Sequence, residues 1–127
     1  WLAALFTGPE IMTLLLERGA DPHFVKDVTY PTLSGLQPVI AEEGNVSVLM
    51  AAVGMGYRRL RMSWGSAERR AGIVGSNREA RILEAAEIAV EAGVDSNIQN
   101  AVGLAARDFA RSRRYEEVTA FLDIVGR

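Results

Sequence analysis

Three stretches of the chain repeat one grammar, and repetition of this kind narrows the possible folds more than composition does. Each stretch reads as a short Ala-containing helix, a turn, a second apolar helix, and a polar exit led by Gly. The first runs through Ala3-Ala4, Pro9-Glu10-Ile11, Leu14-Leu15-Leu16 and Gly19-Ala20-Asp21. The second opens with Ser47-Val48-Leu49-Met50-Ala51-Ala52 and closes with Ile88-Ala89-Val90-Glu91-Ala92-Gly93-Val94-Asp95-Ser96-Asn97. The third joins Gly103-Leu104-Ala105-Ala106-Arg107-Asp108-Phe109-Ala110 to Glu117-Val118 and Phe121-Leu122. Glu84-Ala85 and Glu117-Val118 stand 33 residues apart. Ala3 to Ala52 is 49 residues, one such step plus 16, and Ala52 to Ala110 is 58, one step plus 25. The repeat is therefore interrupted twice. The chain divides as one domain into a first unit at 1–23, a long connecting loop at 24–45, a second unit at 46–97 with an insertion at about 58–78, and a third unit at 98–127.

The second helix of each unit carries apolar residues at helical spacing. Ile11, Leu14 and Leu15 fall at i, i+3 and i+4; Ile82, Ala85, Ala86 and Ala89 extend that pattern to i+7, as do Val118, Phe121, Leu122 and Val125. Pro9 suits a first helical turn, where Glu10 complements the positive end of the helix dipole. Gly19 and Gly93 stand where a helix closes in the left-handed conformation. No segment shows the strict alternation of a half-buried strand. One such unit cannot bury its apolar stripe alone, so the units are expected to stack, and three is about the minimum for a stable array.

Leu14-Leu15-Leu16-Glu17-Arg18-Gly19-Ala20-Asp21 resembles the second half of an ankyrin repeat, whose consensus pairs a Thr-Pro-Leu-His-x-Ala-Ala first helix with a Leu-Leu-Leu second helix and a Gly-Ala-Asp-Val-Asn exit. Pro22 and His23 replace the usual Val and Asn. Ala92-Gly93-Val94-Asp95-Ser96-Asn97 is a looser match, and Ser47-Val48-Leu49-Met50 stands where Thr-Pro-Leu-His falls, without the Pro. Ala105-Ala106-Arg107-Asp108 puts Arg at a usually apolar position, as a terminal repeat tolerates when that face is uncovered. The resemblance implies an all-α ankyrin-repeat solenoid of stacked helix-turn-helix units with hairpin-like inter-repeat loops. It also implies a non-catalytic module that binds a protein partner through those loops and the concave helix face. The first unit is incomplete at its start, and no polar capping helix precedes it, so the chain reads as a piece of a longer array. Trp1, Leu2 and Leu5 are then partly exposed at an open end, which invites end-to-end self-association.

Composition excludes much of catalysis. The 127 residues are 49% hydrophobic and 24% charged with a net charge of −2, a globular balance. There is no cysteine, so no disulfide, thiolate metal site or cysteine nucleophile exists, and one histidine, His23, allows no His-based pair within a chain. The His23 side chain is expected to hydrogen-bond the backbone of its loop, as the consensus Asn does in the family it resembles. Glycines 54, 56, 65, 72 and 75 form no Gly-x-Gly-x-x-Gly, no Gly-Lys-Ser/Thr occurs, and Lys26 is the single lysine, which argues against a nucleotide site. Glu42-Glu43 and Glu116-Glu117 are sequence neighbours whose side chains diverge, and they read as solvated charge. No enzyme activity, cofactor or metal is expected. No apolar run reaches the about 20 residues that span a bilayer, and no signal peptide opens the chain, which favours a cytoplasmic setting. Thirteen arginines against one lysine point to GC-rich coding and a bacterial source.

Two insertions supply the candidate site residues. In 24–45, Phe24, Tyr30 and Leu33 form an anchor set for a protein partner or, alternatively, a satellite core beneath a long loop. From Arg58 to Arg81, seven arginines (58, 59, 61, 69, 70, 78 and 81) meet only Glu68 and Glu79, a local +5 that leaves −7 for the rest of the chain. Arg58, Arg59 and Arg61 with Trp64 are candidates for an acidic partner, an anionic membrane surface or, as the alternative function, nucleic-acid or anionic-ligand binding. The competing expectation pairs these arginines with Glu84, Glu87 and Glu91 while Trp64 covers the helix pair. Joining two helices of one unit, this loop is expected to emerge opposite the inter-repeat loops.

Overall fold

Helix starts and stops follow local chemistry. The computed structural model describes residues 1–5, 8–27, 29–34, 37–42, 44–55 and 77–127. Among them are α1 (Leu2–Leu5), α2 (Pro9–Glu17), β1 (Thr29–Ser34), β2 (Gln37–Glu42), α3 (Val48–Ala52), α4 (Asn77–Glu91), α5 (Ala106–Ser112) and α6 (Glu116–Val125). Pro9 occupies the first turn of α2. The Ser47 hydroxyl accepts the Met50 amide at 3.2 Å and caps α3. At α5 the Asp108 carboxylate reaches back to the Ala105 amide at 2.9 Å. The cap of α6 comes from another helix: Glu79 of α4 accepts the amides of Glu117 at 2.8 Å and Val118 at 3.4 Å. A carboxylate there satisfies two orphan donors and complements the dipole.

The helices form two layers. Within pairs, α1 packs on α2, α3 on α4 and α5 on α6; between pairs, α1 packs on α3, α2 on α4 and α4 on α6. Three helix pairs therefore lie side by side, and the molecule is predominantly helical. All five residues of α3 are buried, as a short apolar helix must be when neighbours cover it on every side. Leu49, Met50, Met55, Val46 and Val53 make this centre, and Ala85, Ala86 and Ala89 of α4 admit close approach from the outer layer. Val118 and Leu122 of α6 complete the same core.

Two helix exits close identically. Gly19 and Gly93 adopt φ of +89° and +93°. The Gly19 amide donates to the Leu16 carbonyl at 3.0 Å and Ala20 to Leu15 at 3.0 Å; Gly93 donates to Val90 at 2.9 Å and Val94 to Ala89 at 3.1 Å. Asp21 and Asp95 then accept the amides of His23 and Asn97, each at 2.9 Å. Superposing these exits sets a register. Ile11, Leu14 and Leu15 of α2 correspond to Ala85, Ile88 and Ala89 of α4 and to Val118, Phe121 and Leu122 of α6.

That register exposes a difference from the expected packing. Ala85, Ala89, Val118 and Leu122 are buried, and Ile88 and Phe121 half-buried, but Ile11, Leu14 and Leu15 are 56%, 50% and 44% exposed. Leu15 borders a small space lined also by Trp1, Ala3, Val48 of α3 and Ala89 and Ala92 of α4. On α2, Pro9 and Met12 are buried and Leu16 half-buried. Expectation and structure also part at 29–42. There β1 and β2 pair antiparallel from Thr29↔Glu42 to Ser34↔Gln37, a hairpin that strand alternation does not announce. Pro31 and Pro38 pair with Ile40 and Leu33, two steps apart in the ladder and so of one hydrogen-bonding parity. Lacking N–H groups, prolines fit only the pairs whose amides point away from the partner strand, so each outer edge of the hairpin loses a donor.

Candidate functional site

Between successive helix pairs the chain turns out into two fingers, and these carry exposed apolar side chains. The first is closed at its base by the Lys26–Val46 bridge, with amide–carbonyl bonds of 3.0 and 2.8 Å, and extends into the β1–β2 hairpin. The second is short. Gln99 bridges Ala105, the Asn100 amide donates to Leu104 at 2.9 Å, and the Asn100 side-chain oxygen accepts the Val102 and Leu104 amides at 3.1 and 2.9 Å. This buried Asn fixes the turn from inside. The Ala101 amide donates to the Gly44 carbonyl at 2.8 Å, tying the two fingers together.

Phe24 is 51% exposed at the root of the first finger, beside exposed Val25. Tyr30 and Leu33 lie in β1, opposite Ala41 and Pro38 in the ladder. On the second finger Ile98, Val102 and Leu104 are exposed as well. Sequence analysis missed these three; their signal was the Val102-Gly103-Leu104 run at a turn, which offers no aromatic anchor. Apolar groups on joined, backbone-fixed loops lose little freedom on binding, which is what a recognition surface needs.

Phe24 also borders an open cleft of about 450 Å³ lined by Trp1, Leu2, Ala3, Leu15, Asp21 and Lys26. The Trp1 indole donates to the Val46 carbonyl at 2.8 Å, and the Lys26 ammonium stands 5.7 Å from the indole centroid. His23 is exposed, and its ring lies over Gly93, where a Cβ would sit 3.7 Å from its Cε1. Asn97 repeats the placement one unit on, donating to the Gly126 carbonyl at 3.3 Å. Each exit residue therefore reaches the closing glycine of the next outer helix.

Arg58, Arg59, Arg61 and Trp64 lie outside the described residues. The expectation that their loop emerges opposite the fingers lies outside the described residues with them. Of its flanking arginines, Arg81 reaches Glu10 of α2 at 3.2 Å. Its own amide and then the Arg81 guanidinium hold the Glu10 carboxyl below its ordinary 4.5. Among the described residues no group of three or more His, Asp or Glu side chains is placed to hold a metal, and no helix is long and apolar enough to cross a membrane. Comparison with known proteins adds no relative: no family model, no curated protein and no solved structure matches the chain.

Proposed function

We propose that the chain is a run of ankyrin-type repeats serving as a non-catalytic protein-recognition module, with the two joined fingers as its contact surface. The observation that carries this reading is the pair of matching exits at Gly19–His23 and Gly93–Asn97, each seated on the next unit's closing glycine. Side-by-side helix pairs and fingers tied through Ala101 and Gly44 also support it. Phe24, Val102 and Leu104 are the described anchors, with Tyr30 and Leu33 on the hairpin. The partner engages side chains of the fingers and does not add a strand, because Pro31 and Pro38 blunt both hairpin edges.

The test is affinity capture with three forms of the chain. Val102→Asp/Leu104→Asp disables the second finger, and Arg58→Ala/Arg59→Ala/Arg61→Ala disables the alternative anionic surface. A protein retained by wild type and by the arginine variant, but lost from the finger variant, is the expected result. Retention lost only in the arginine variant, and falling steeply with salt, would assign the function to nucleic-acid or anionic-ligand binding instead. A measurable turnover abolished by His23→Ala would overturn the non-enzymatic reading.

A further inference from the structure

Charge is distributed unevenly about the fingers. Residues 17–46 and 91–105, the two helix exits with their fingers, hold seven carboxylates against Arg18 and Lys26 alone. That is −5 in a chain of net −2, and it leaves +3 for the rest. The described members of this set stand beside the apolar anchors. Asp21 lines the same cleft as Phe24. Asp95 precedes Ile98 by three residues, as Asp21 precedes Phe24, because the two exits share one register. Both carboxylates are exposed, and each is fixed in place by the amide it accepts at 2.9 Å, from His23 and from Asn97. Asp27 stands at the join of the fingers, where a Cβ on Gly44 would meet its Oδ1 at 3.1 Å. Of the two cations, the Lys26 ammonium lies over the Trp1 indole and Arg18 closes α2.

An exposed apolar surface rimmed by fixed carboxylates selects among partners. An acidic segment is repelled by the rim. A neutral apolar segment covers Phe24 and Ile98 but strips water from the neighbouring aspartates without replacing it. A segment whose apolar side chains are flanked by lysine or arginine meets both demands. Complementary rim charge then speeds encounter and rejects wrong partners, while the apolar contacts supply most of the affinity.

We propose that the partner of the fingers is a basic, apolar protein segment, which seats apolar side chains among Phe24, Ile98, Val102 and Leu104 and sets lysines or arginines against Asp21 and Asp95. This rests on recognition through the fingers and adds to it the chemistry of what is recognised.

Selection of a displayed library of random short peptides on the 127-residue chain tests it. The expected peptides combine Leu, Ile, Phe or Trp with an excess of Lys and Arg, and their affinity falls as salt is raised. Val102→Gln with Leu104→Gln, which alters no charge, should weaken them by about tenfold or more with helix content unchanged. Asp21→Asn with Asp95→Asn keeps an oxygen for each amide while removing both charges. It should weaken the same peptides by about threefold or more and flatten their salt dependence. Peptides that need the fingers but carry no basic excess, or that ignore the Asp21→Asn/Asp95→Asn change, would overturn this inference and leave recognition through the fingers standing. Peptides that bind the Val102→Gln/Leu104→Gln variant as tightly as wild type, or a selection that yields no finger-dependent peptide, would overturn both.

Discussion

At one end of the helix stack α2 turns Ile11, Leu14 and Leu15 outward; at the other, α6 turns Glu116, Thr119 and Asp123 outward. Both helices belong to the outer layer and both close on a glycine register, yet one end is apolar and the other is a charged cap braced by Arg107 and Arg111. The apolar end implies that periodicity alone reports how many sides of a helix are built for burial, not how many are buried. In α2 apolar residues run most of the way round, with Pro9, Met12 and Leu16 on one side and Ile11, Leu14 and Leu15 on the other. That composition suits a helix sandwiched between neighbours. In α6 the positions in register with Pro9, Met12 and Leu16 are Glu116, Thr119 and Asp123, while Ile124 is 65% exposed.

The contrast can be broken by making the ends alike. Thr119→Leu with Asp123→Leu gives α6 a forward face resembling Met12 and Leu16 of α2. Sedimentation should then show species growing beyond those of the wild type, because head-to-tail contact becomes apolar on apolar and does not close. This is the largest expected effect. Next comes the lock between the second and third units. Glu79→Ala removes the carboxylate from the Glu117 and Val118 amides and should cost about 1–2 kcal/mol in urea unfolding, with Glu79→Gln recovering part of it. The Ser47→Ala change tests a cap internal to α3, and there a loss of about 1 kcal/mol is expected by the same measurement.

The smallest effect belongs to the bridge that joins α2 to α4 on the surface. Arg81→Ala should shift the urea midpoint least of these changes, since exposed ion pairs contribute little. Its pH dependence has a defined sign. The Glu10 carboxyl titrates below its ordinary 4.5 in the folded chain, chiefly through its own amide and then through Arg81. Its contribution is therefore complete above 4.5 and is lost as the pH falls through the lower folded value. Acid titration of unfolding should show this slope in wild type and a shallower one in Arg81→Ala.

Much of this architecture was legible in the residues. The 33-residue step located the outer helices, and Gly19 and Gly93 marked two helix exits that do adopt positive φ. The hairpin at 29–42 was not legible, because Pro31 and Pro38 argue against strands unless their ladder parity is known. The exposure of Ile11, Leu14 and Leu15 was hidden too, since a sequence shows an apolar stripe without showing its neighbour. Glu79 sits 38 residues from the amides it caps, a distance no local pattern bridges. Of the candidate site, Phe24 is exposed at the root of the first finger. Ile98, Val102 and Leu104 escaped notice because a short finger without aromatics resembles any turn.

Leu15 and Leu122 occupy the same register position, one 44% exposed and the other 1%. Truncating each to Ala and unfolding both variants in urea compares a single side chain in two neighbourhoods. Stacking of helix pairs in one register predicts a loss of about 2–5 kcal/mol for Leu122→Ala and well under half of that for Leu15→Ala. Equal losses, or a larger one at Leu15, would contradict it.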